Sequence, residues 1–257
     1  MDELKKAKQF AIGAARKAGS IAKKDFHHIM KIERKDTHEL VTNVDKKVER
    51  FIISRIKKKY PGHHIMAEES GENRQKSEYM WIIDPIDGTH NFIHGIADFG
   101  VEIALAKNNE VILGVVYLPM TDELFCAEKG KGAFLNGKRI HVSKKGIKDE
   151  TFLCYSCNFS QSPKWHIKNL NVLIRIFKNI RLFGSTAVEM SYVASGKAEC
   201  FVVRHDKPWD YAASALIVEE AGGKVTDLKG RKWHIGMGGF IASNGVFHKK
   251  IVNSIKN

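Results

Sequence analysis

An apolar stretch, Met80-Trp81-Ile82-Ile83, runs straight into two carboxylates in Asp84-Pro85-Ile86-Asp87-Gly88-Thr89. Asp84 therefore stands where a buried strand emerges. Pro85 fixes the backbone and removes a donor. Asp87 follows three residues later, so a tight turn can aim both carboxylates into one site. The Ile86 carbonyl between them is a further oxygen donor. Gly88 permits close backbone approach and unusual dihedrals, and Thr89 adds a hydroxyl. A helix or turn that begins near Gly88-Thr89 would offer its free N–H groups to a phosphate. An ordinary Asp-Pro turn, with Asp and Thr as caps, explains one carboxylate. It leaves the second acid, the glycine and the threonine unexplained.

Two other acidic elements sit at the ends of regular structure. Glu68-Glu69-Ser70 follows the short strand expected at His64-Ile65-Met66-Ala67. Asp210 comes just inside the helix expected from Trp209 to Ala221, which Gly222-Gly223 stops. Carboxylates at element ends are where hard cations are held by oxygen ligands, with positions left for water and substrate.

Periodicity sets the frame around these motifs. Apolar residues at three- and four-residue steps predict helices over 2–26 and 43–59, the second capped by Thr42 or Asn43 and ended by Pro61-Gly62. Strands are expected over 99–106, 111–118, 124–127 and 132–135, with a hairpin at Asn136-Gly137. The first half thus reads as two helices followed by a mostly antiparallel sheet. The second half alternates: a helix over 164–179, a strand at 181–183, a helix that follows Gly184-Ser185-Thr186 and runs to about Ala194, a strand over 199–203, then the Asp210 helix. Strands at 224–226 and 240–242 and a last helix from about Phe247 complete it. The chain is read as two packed subdomains, 1–148 and 149–257, with a boundary near 145–152.

No apolar run reaches the ~20 residues that span a bilayer, and no apolar segment follows the charged N-terminus, so a cytoplasmic protein is expected and no membrane partner. The formal charge of +13, from 42 Lys and Arg against 29 acids, would suit nucleic acid or phosphorylated substrates, or is simply a lysine-rich solvated surface. Cys154 and Cys157 form one CxxC without a second pair at metal spacing; semi-buried thiols are expected there. The pairs His27-His28 and His63-His64 make no natural chelate, because neighbours on an element point apart. Asp98 and Glu102 could share a strand face without a catalytic role.

The order of these pieces resembles the inositol monophosphatase family, within the lithium-sensitive sugar phosphatases. Trp81 to Asn91 with its Asp-Pro-Ile-Asp-Gly-Thr centre, Glu68-Glu69-Ser70, Leu40 to Asp45, Gly130 to Gly137, and Trp209-Asp210 followed by Glu219 to Gly223 all match. The resemblance implies a mixed α/β fold, a layered αβαβα sandwich with a large mostly antiparallel sheet and a smaller mixed one. It implies a homodimer and Mg²⁺-dependent hydrolysis of a phosphate monoester. Glu68, Asp84 and the Ile86 carbonyl would hold one ion; Asp84, Asp87 and Asp210 would hold a second; Glu68 would share a third, weaker one. Thr89, oriented by Asp45, would position and deprotonate the attacking water. Asp87, Gly88, Thr89, Gly184, Ser185, Thr186, Arg204 and Asp210 are the expected substrate contacts. Glu69 is expected just behind the metals, and Trp81 and Trp209 on the walls of the site.

Three departures bear on the substrate. His90 stands where the family commonly has threonine, either as a phosphate contact or as a surface change. Thr186 is larger than the usual alanine. Val203, followed by Arg204-His205, replaces a glutamate that contacts ring hydroxyls in inositol-specific members, and valine has no hydrogen-bonding group. Arg204 or His205 could meet a second anionic group, which raises fructose 1,6-bisphosphate or a nucleotide-linked phosphate beside inositol phosphate. Asp206 and Lys207 are read as loop residues facing water. Some bacterial relatives bind the transcription machinery, so RNA or partner binding is a further expectation.

Overall fold

The computed structural model describes residues 2–28, 31–34, 40–73, 75–146, 151–156, 159–246 and 248–255. The first helix, α1 (Asp2–Asp25), buries its alanine stripe, including Ala7, Ala11, Ala15, Ala18 and Ala22. Two short strands, β1 (Ile32–Arg34) and β2 (Leu40–Thr42), pair antiparallel and lead into α2 (Asn43–Lys59). Thr42 caps α2: its hydroxyl accepts from the N–H groups of Val44 and Asp45, and the Asp45 carboxylate reaches back to the Thr42 N–H at 2.9 Å. Such a box closes two orphan donors of the first turn.

The large sheet follows as β3 (His64–Ala67), β4 (Gly71–Glu72), β5 (Tyr79–Asp87), β6 (Gly100–Lys107), β7 (Glu110–Leu118), β8 (Glu123–Glu128), β9 (Ala133–Leu135) and β10 (Lys138–Ile140). Its order is β10-β9-β8-β7-β6-β5-β3-β4, antiparallel except where β3 runs beside β5. The short helix α3 (Thr89–Ile93) leaves the end of β5.

In the second half, β11 (Phe152–Ser156), α4 (Pro163–Leu173), β12 (Asn179–Arg181), α5 (Thr186–Ala194), β13 (Cys200–Val203), α6 (Pro208–Glu220), β14 (Lys224–Asp227), β15 (Phe240–Ser243) and α7 (His248–Ser254) build a five-stranded sheet of order β12-β11-β13-β15-β14. The pairs of β11 are parallel and those of β15 antiparallel. Phe247, named above as the start of the last helix, and Cys157 lie outside the described residues, as do 147–150 of the expected boundary. Cys154 is fully buried rather than semi-buried.

Strand alternation sorts the core into layers. Trp81, Ile83, Val101 and Ile103 pack with α1 and α2. Met80, Ile82, Ala104 and Ala106 point the other way, onto α5 and α6. The second sheet covers those helices with Phe201, Val203 and Ala242 and turns Leu153, Tyr155 and Val202 toward α4 and α7. The order is helix, sheet, helix, sheet, helix, as the expected αβαβα sandwich requires. Close approach at the centre depends on Gly114 of β7, where a Cβ would stand 2.4 Å from the Ala213 carbonyl oxygen of α6.

Two expectations shift. Trp81 faces the α1/α2 layer, edge-on to Phe10 and donating to His63 Nδ1 at 3.1 Å, so it is not on the wall of the acidic site. The helix expected over 164–179 stops at Leu173, and the strand after it starts at Asn179 instead of Arg181. The Leu173 carbonyl accepts from both Ile176 and Phe177 at 2.9 Å, turning the chain so that those two side chains reach the core.

Candidate metal and phosphate site

β5 does not end at Ile83. It continues through Asp87, with a register shift against β6 between Asp84 and Asp87. A bulge of this kind re-aims side chains, and here it brings both carboxylates toward the first turn of α6. Oxygens of Asp84, Asp87 and Asp210 come within 4.8 Å of one another. Asp84 and Asp87 are buried and Asp210 is half-buried.

Each of the three gives one oxygen to a backbone donor. Asp84 Oδ1 accepts from the Ile86 N–H at 3.0 Å, Asp87 Oδ2 from Ala187 at 2.8 Å, and Asp210 Oδ2 from Lys207 at 2.7 Å. Ser185 Oγ also donates to Asp87 Oδ2. Asp87 is thereby gripped by the N-cap and first turn of α5. Burial, and then the charges of Glu68, Asp87, Asp210 and Glu102, push the Asp84 carboxyl well above the usual range. Burial raises Asp87 to about 6. Burial, with Asp206 and Asp87, raises Asp210. Acids crowded in this way need protons or cations, and an all-oxygen donor set fits a hard divalent cation.

Glu68 stands on the turn after β3, its N–H bonded to the Ile83 carbonyl at 3.2 Å, outside the tight trio but near enough to raise Asp84 and Asp210. The Glu69 N–H bonds the buried Glu49 carboxylate at 2.7 Å. Thr89 Oγ1 lies 3.1 Å from Asp45 Oδ1 and 3.0 Å from the Ile86 carbonyl. Asp45 is fully buried in the α2 capping box, and burial raises its pKa. Gly88 has φ +92°, and a Cβ there would meet the Asp98 carbonyl at 3.0 Å and Ser185 at 3.1 Å. This position requires glycine.

Gly184, Ser185 and Thr186 border the trio through Asp87. Thr186 Oγ1 donates to Asp206 Oδ2 at 2.8 Å, so Asp206 belongs to the rim of the site rather than to a solvent-facing loop. Burial raises its carboxyl well above the ordinary value. Lys207 and His90 are exposed. Arg204 is not drawn into the trio. Its guanidinium lies over the Trp165 ring at 4.7 Å, and its Nε donates to Ser162 Oγ at 3.2 Å. His205 Nε2 lies 3.2 Å from the same hydroxyl.

Glu189 and the contacts of Asn91 escaped the sequence reading, while Asp98, expected to share a strand face with Glu102, lies before β6 and not on it. Glu189 is fully buried and takes the Phe183 N–H at 3.0 Å. Asn91 donates to the carbonyls of Asp98 and Phe183 at 2.7 and 2.6 Å. Together they fix the segment that delivers Ser185 to Asp87. Glu102, fully buried, bonds the Ser214 N–H at 3.3 Å. Its signal was present as a single acid inside an otherwise apolar strand.

Five alternating layers, with clustered carboxylates where the first sheet meets the central helices, define a phosphatase fold with a site fit for divalent metal. A profile of the Inositol monophosphatase family matches residues 3–257, and the chain belongs to that family. It is 38% identical over 247 residues to the fructose-1,6-bisphosphatase/inositol-1-monophosphatase of Thermotoga maritima, covering 96% of this chain and 94% of that protein. It is 39% identical over 240 residues to the Nus factor SuhB of Escherichia coli, covering 91% and 90%. Among solved structures, the extragenic suppressor protein suhB of Bartonella henselae superposes with a TM-score of 0.93 at 33% identity, over 97% of this chain and 98% of that one. An inositol monophosphatase of Thermotoga maritima gives 0.90 at 36%, over 99% and 97%. Among the described residues no helix is long and apolar enough to cross a membrane.

Proposed function

We propose that the chain is an Mg²⁺-dependent phosphomonoesterase acting on inositol 1-phosphate or a related polyol or sugar phosphate. The observation that carries this reading is the trio of Asp84, Asp87 and Asp210 beside the Thr89–Asp45 pair. Glu68, Asp84 and the Ile86 carbonyl would hold one Mg²⁺, and Asp84, Asp87 and Asp210 a second. Bound Mg²⁺ would supply Lewis-acid polarisation of the phosphoryl group and a water of lowered pKa.

The protein groups have separate tasks. Thr89 Oγ1 accepts a hydrogen bond from the attacking water and orients it. Asp45, held by Thr42 and lifted in pKa by burial, receives the proton passed through the threonine hydroxyl. The backbone of Gly88 and Thr89 holds the phosphoryl oxygens. Gly184, Ser185 and Thr186 shape the wall against the alcohol. Hydroxyls on that alcohol would meet Asp206 and Asp210, while Arg204 and His205, with no acidic ion-pair partner among the described residues, would favour a substrate with a second anionic group.

The test is phosphate release from a panel of inositol phosphates, sugar mono- and bisphosphates and nucleotide-linked phosphates, with and without Mg²⁺. Metal-dependent release from at least one of them is expected, and silence across the panel sinks the proposal. A second reading, contact with the transcription machinery as a homodimer, is favoured by the +13 charge and by the relatives named Nus factors. RNA affinity should then fall by orders of magnitude between about 50 and 200 mM salt; affinity indifferent to salt would remove the charge-driven contact.

A further inference from the structure

β6 is a buried strand with one carboxylate in it. Glu102 is the direct cross-strand partner of Asp84, so both side chains leave the sheet on the same face, toward α6. Asp210 and Ser214 lie one turn apart on that helix. Acids directly opposite each other on an antiparallel pair destabilise it. Here a third acid stands over them.

Glu102 is 1% exposed. One oxygen takes the long bond from Ser214, and Oε1 is sealed from solvent with no hydrogen-bond partner among the described residues. Burial, then Asp87 and Asp210, raise its carboxyl well above the normal range. Leaving a buried carboxyl oxygen unmatched costs roughly 1–3 kcal/mol, and the charges nearest to it are other acids. The missing partner is positive or a strong donor. Glu102 stands outside the tight trio, so the trio's direct ligands do not include it.

We infer that Glu102 is a positioning residue of the metal centre, whose free Oε1 accepts from the hydration shell of the cation held by Asp84, Asp87 and Asp210. This rests on the proposed metal reading of the trio. Partners of this outer kind commonly change metal affinity by about 10–100-fold. Glu102→Gln keeps an acceptor for Ser214 and turns the other end into a donor that faces a cation wrongly. Glu102→Leu removes both.

The test is Mn²⁺ binding without substrate, followed by electron paramagnetic resonance, on wild type, Glu102→Gln, Glu102→Leu and Asp84→Asn. One binding step should weaken about tenfold or more in both Glu102 variants. Melting of the metal-free Glu102→Gln protein should stay level or rise, because a like-charge contact is gone. Wild-type Mn²⁺ affinity in folded Glu102→Gln overturns the role of Glu102. A lowered metal-free melting temperature with unchanged affinity marks a structural strut and also overturns it. Wild-type binding by Asp84→Asn overturns the metal reading itself, a separate failure from that of Glu102.

Discussion

Asp84, Asp87 and Asp210 each give one carboxylate oxygen to a backbone N–H. The side chains are therefore fixed before any ligand arrives, and loss of one charge should act on metal binding more than on folding. Asp84→Asn should lower Mg²⁺-dependent turnover about 100-fold or more, since charge stabilisation by a bound ion amounts to several kcal/mol. Circular dichroism should show the same fold. A folded Asp84→Asn protein with near-normal turnover would sink the ligand assignment. At this scale the sequence was informative where chemistry is local. Asp84, Ile86, Asp87, Gly88 and Thr89 lie in one run, and their types and spacing announce an oxygen-lined site. The bond from Ser185 to Asp87 spans 98 residues, and no local pattern reports it. Asp206 was misread because its partner, Thr186, is likewise remote.

Among the elements, α1, α2 and α6 were legible from apolar periodicity and end signals, and their limits differ from expectation by a residue or so. α4 was overrun because apolar spacing persists past Leu173, although the chain turns there to feed β12. The short pair β1 and β2 carries too few residues for a period to register. α7 offers a test of its own. His248 is buried between Thr226 Oγ1, 2.8 Å from Nε2, and Ser243 Oγ, 2.8 Å from Nδ1. The Thr226 hydroxyl donates to the Asp227 carbonyl at 2.9 Å, so it is placed to accept from Nε2–H. Burial, then Lys224, lowers its pKa from 6.5 to about 4. The folded state thus binds this proton more weakly than the unfolded state. The ring's contribution is intact above pH 6.5 and is lost as the pH falls toward 4, by up to about 3 kcal/mol. Urea unfolding at stepped pH should show the gap between wild type and His248→Gln narrowing over that window. Parallel curves would refute it.

For the molecule as a whole, the central helices α5 and α6 are shared by both sheets, so the site is assembled from both halves of the chain. Crowded acids at that junction make the folded state hungry for cations. Mg²⁺ at about 100 times its dissociation constant should add about 2.7 kcal/mol, a rise in melting temperature of roughly 5–10 °C for a domain near this size. Scanning calorimetry with and without Mg²⁺ measures this, and an unshifted transition would contradict it. The five-layer order was available to sequence reading only through family resemblance, because periodicity reports which residues are buried but not against what.

Close contact between Gly114 and the Ala213 carbonyl also has a consequence for synthesis on the ribosome. When residues through β10 have emerged, Glu68, Asp84, Asp87 and Glu102 are all present, and the helix that covers them is still untranslated. The large sheet must wait with its second face bare and its acids exposed to solvent. Only after α6 is released can backbone meet backbone at Gly114 and bring Asp210 down. On the proposed metal reading, competence for a cation would arrive late in translation, when α6 closes over the first sheet, and a chain that stalls near residue 150 would have most of its acids but no assembled cluster.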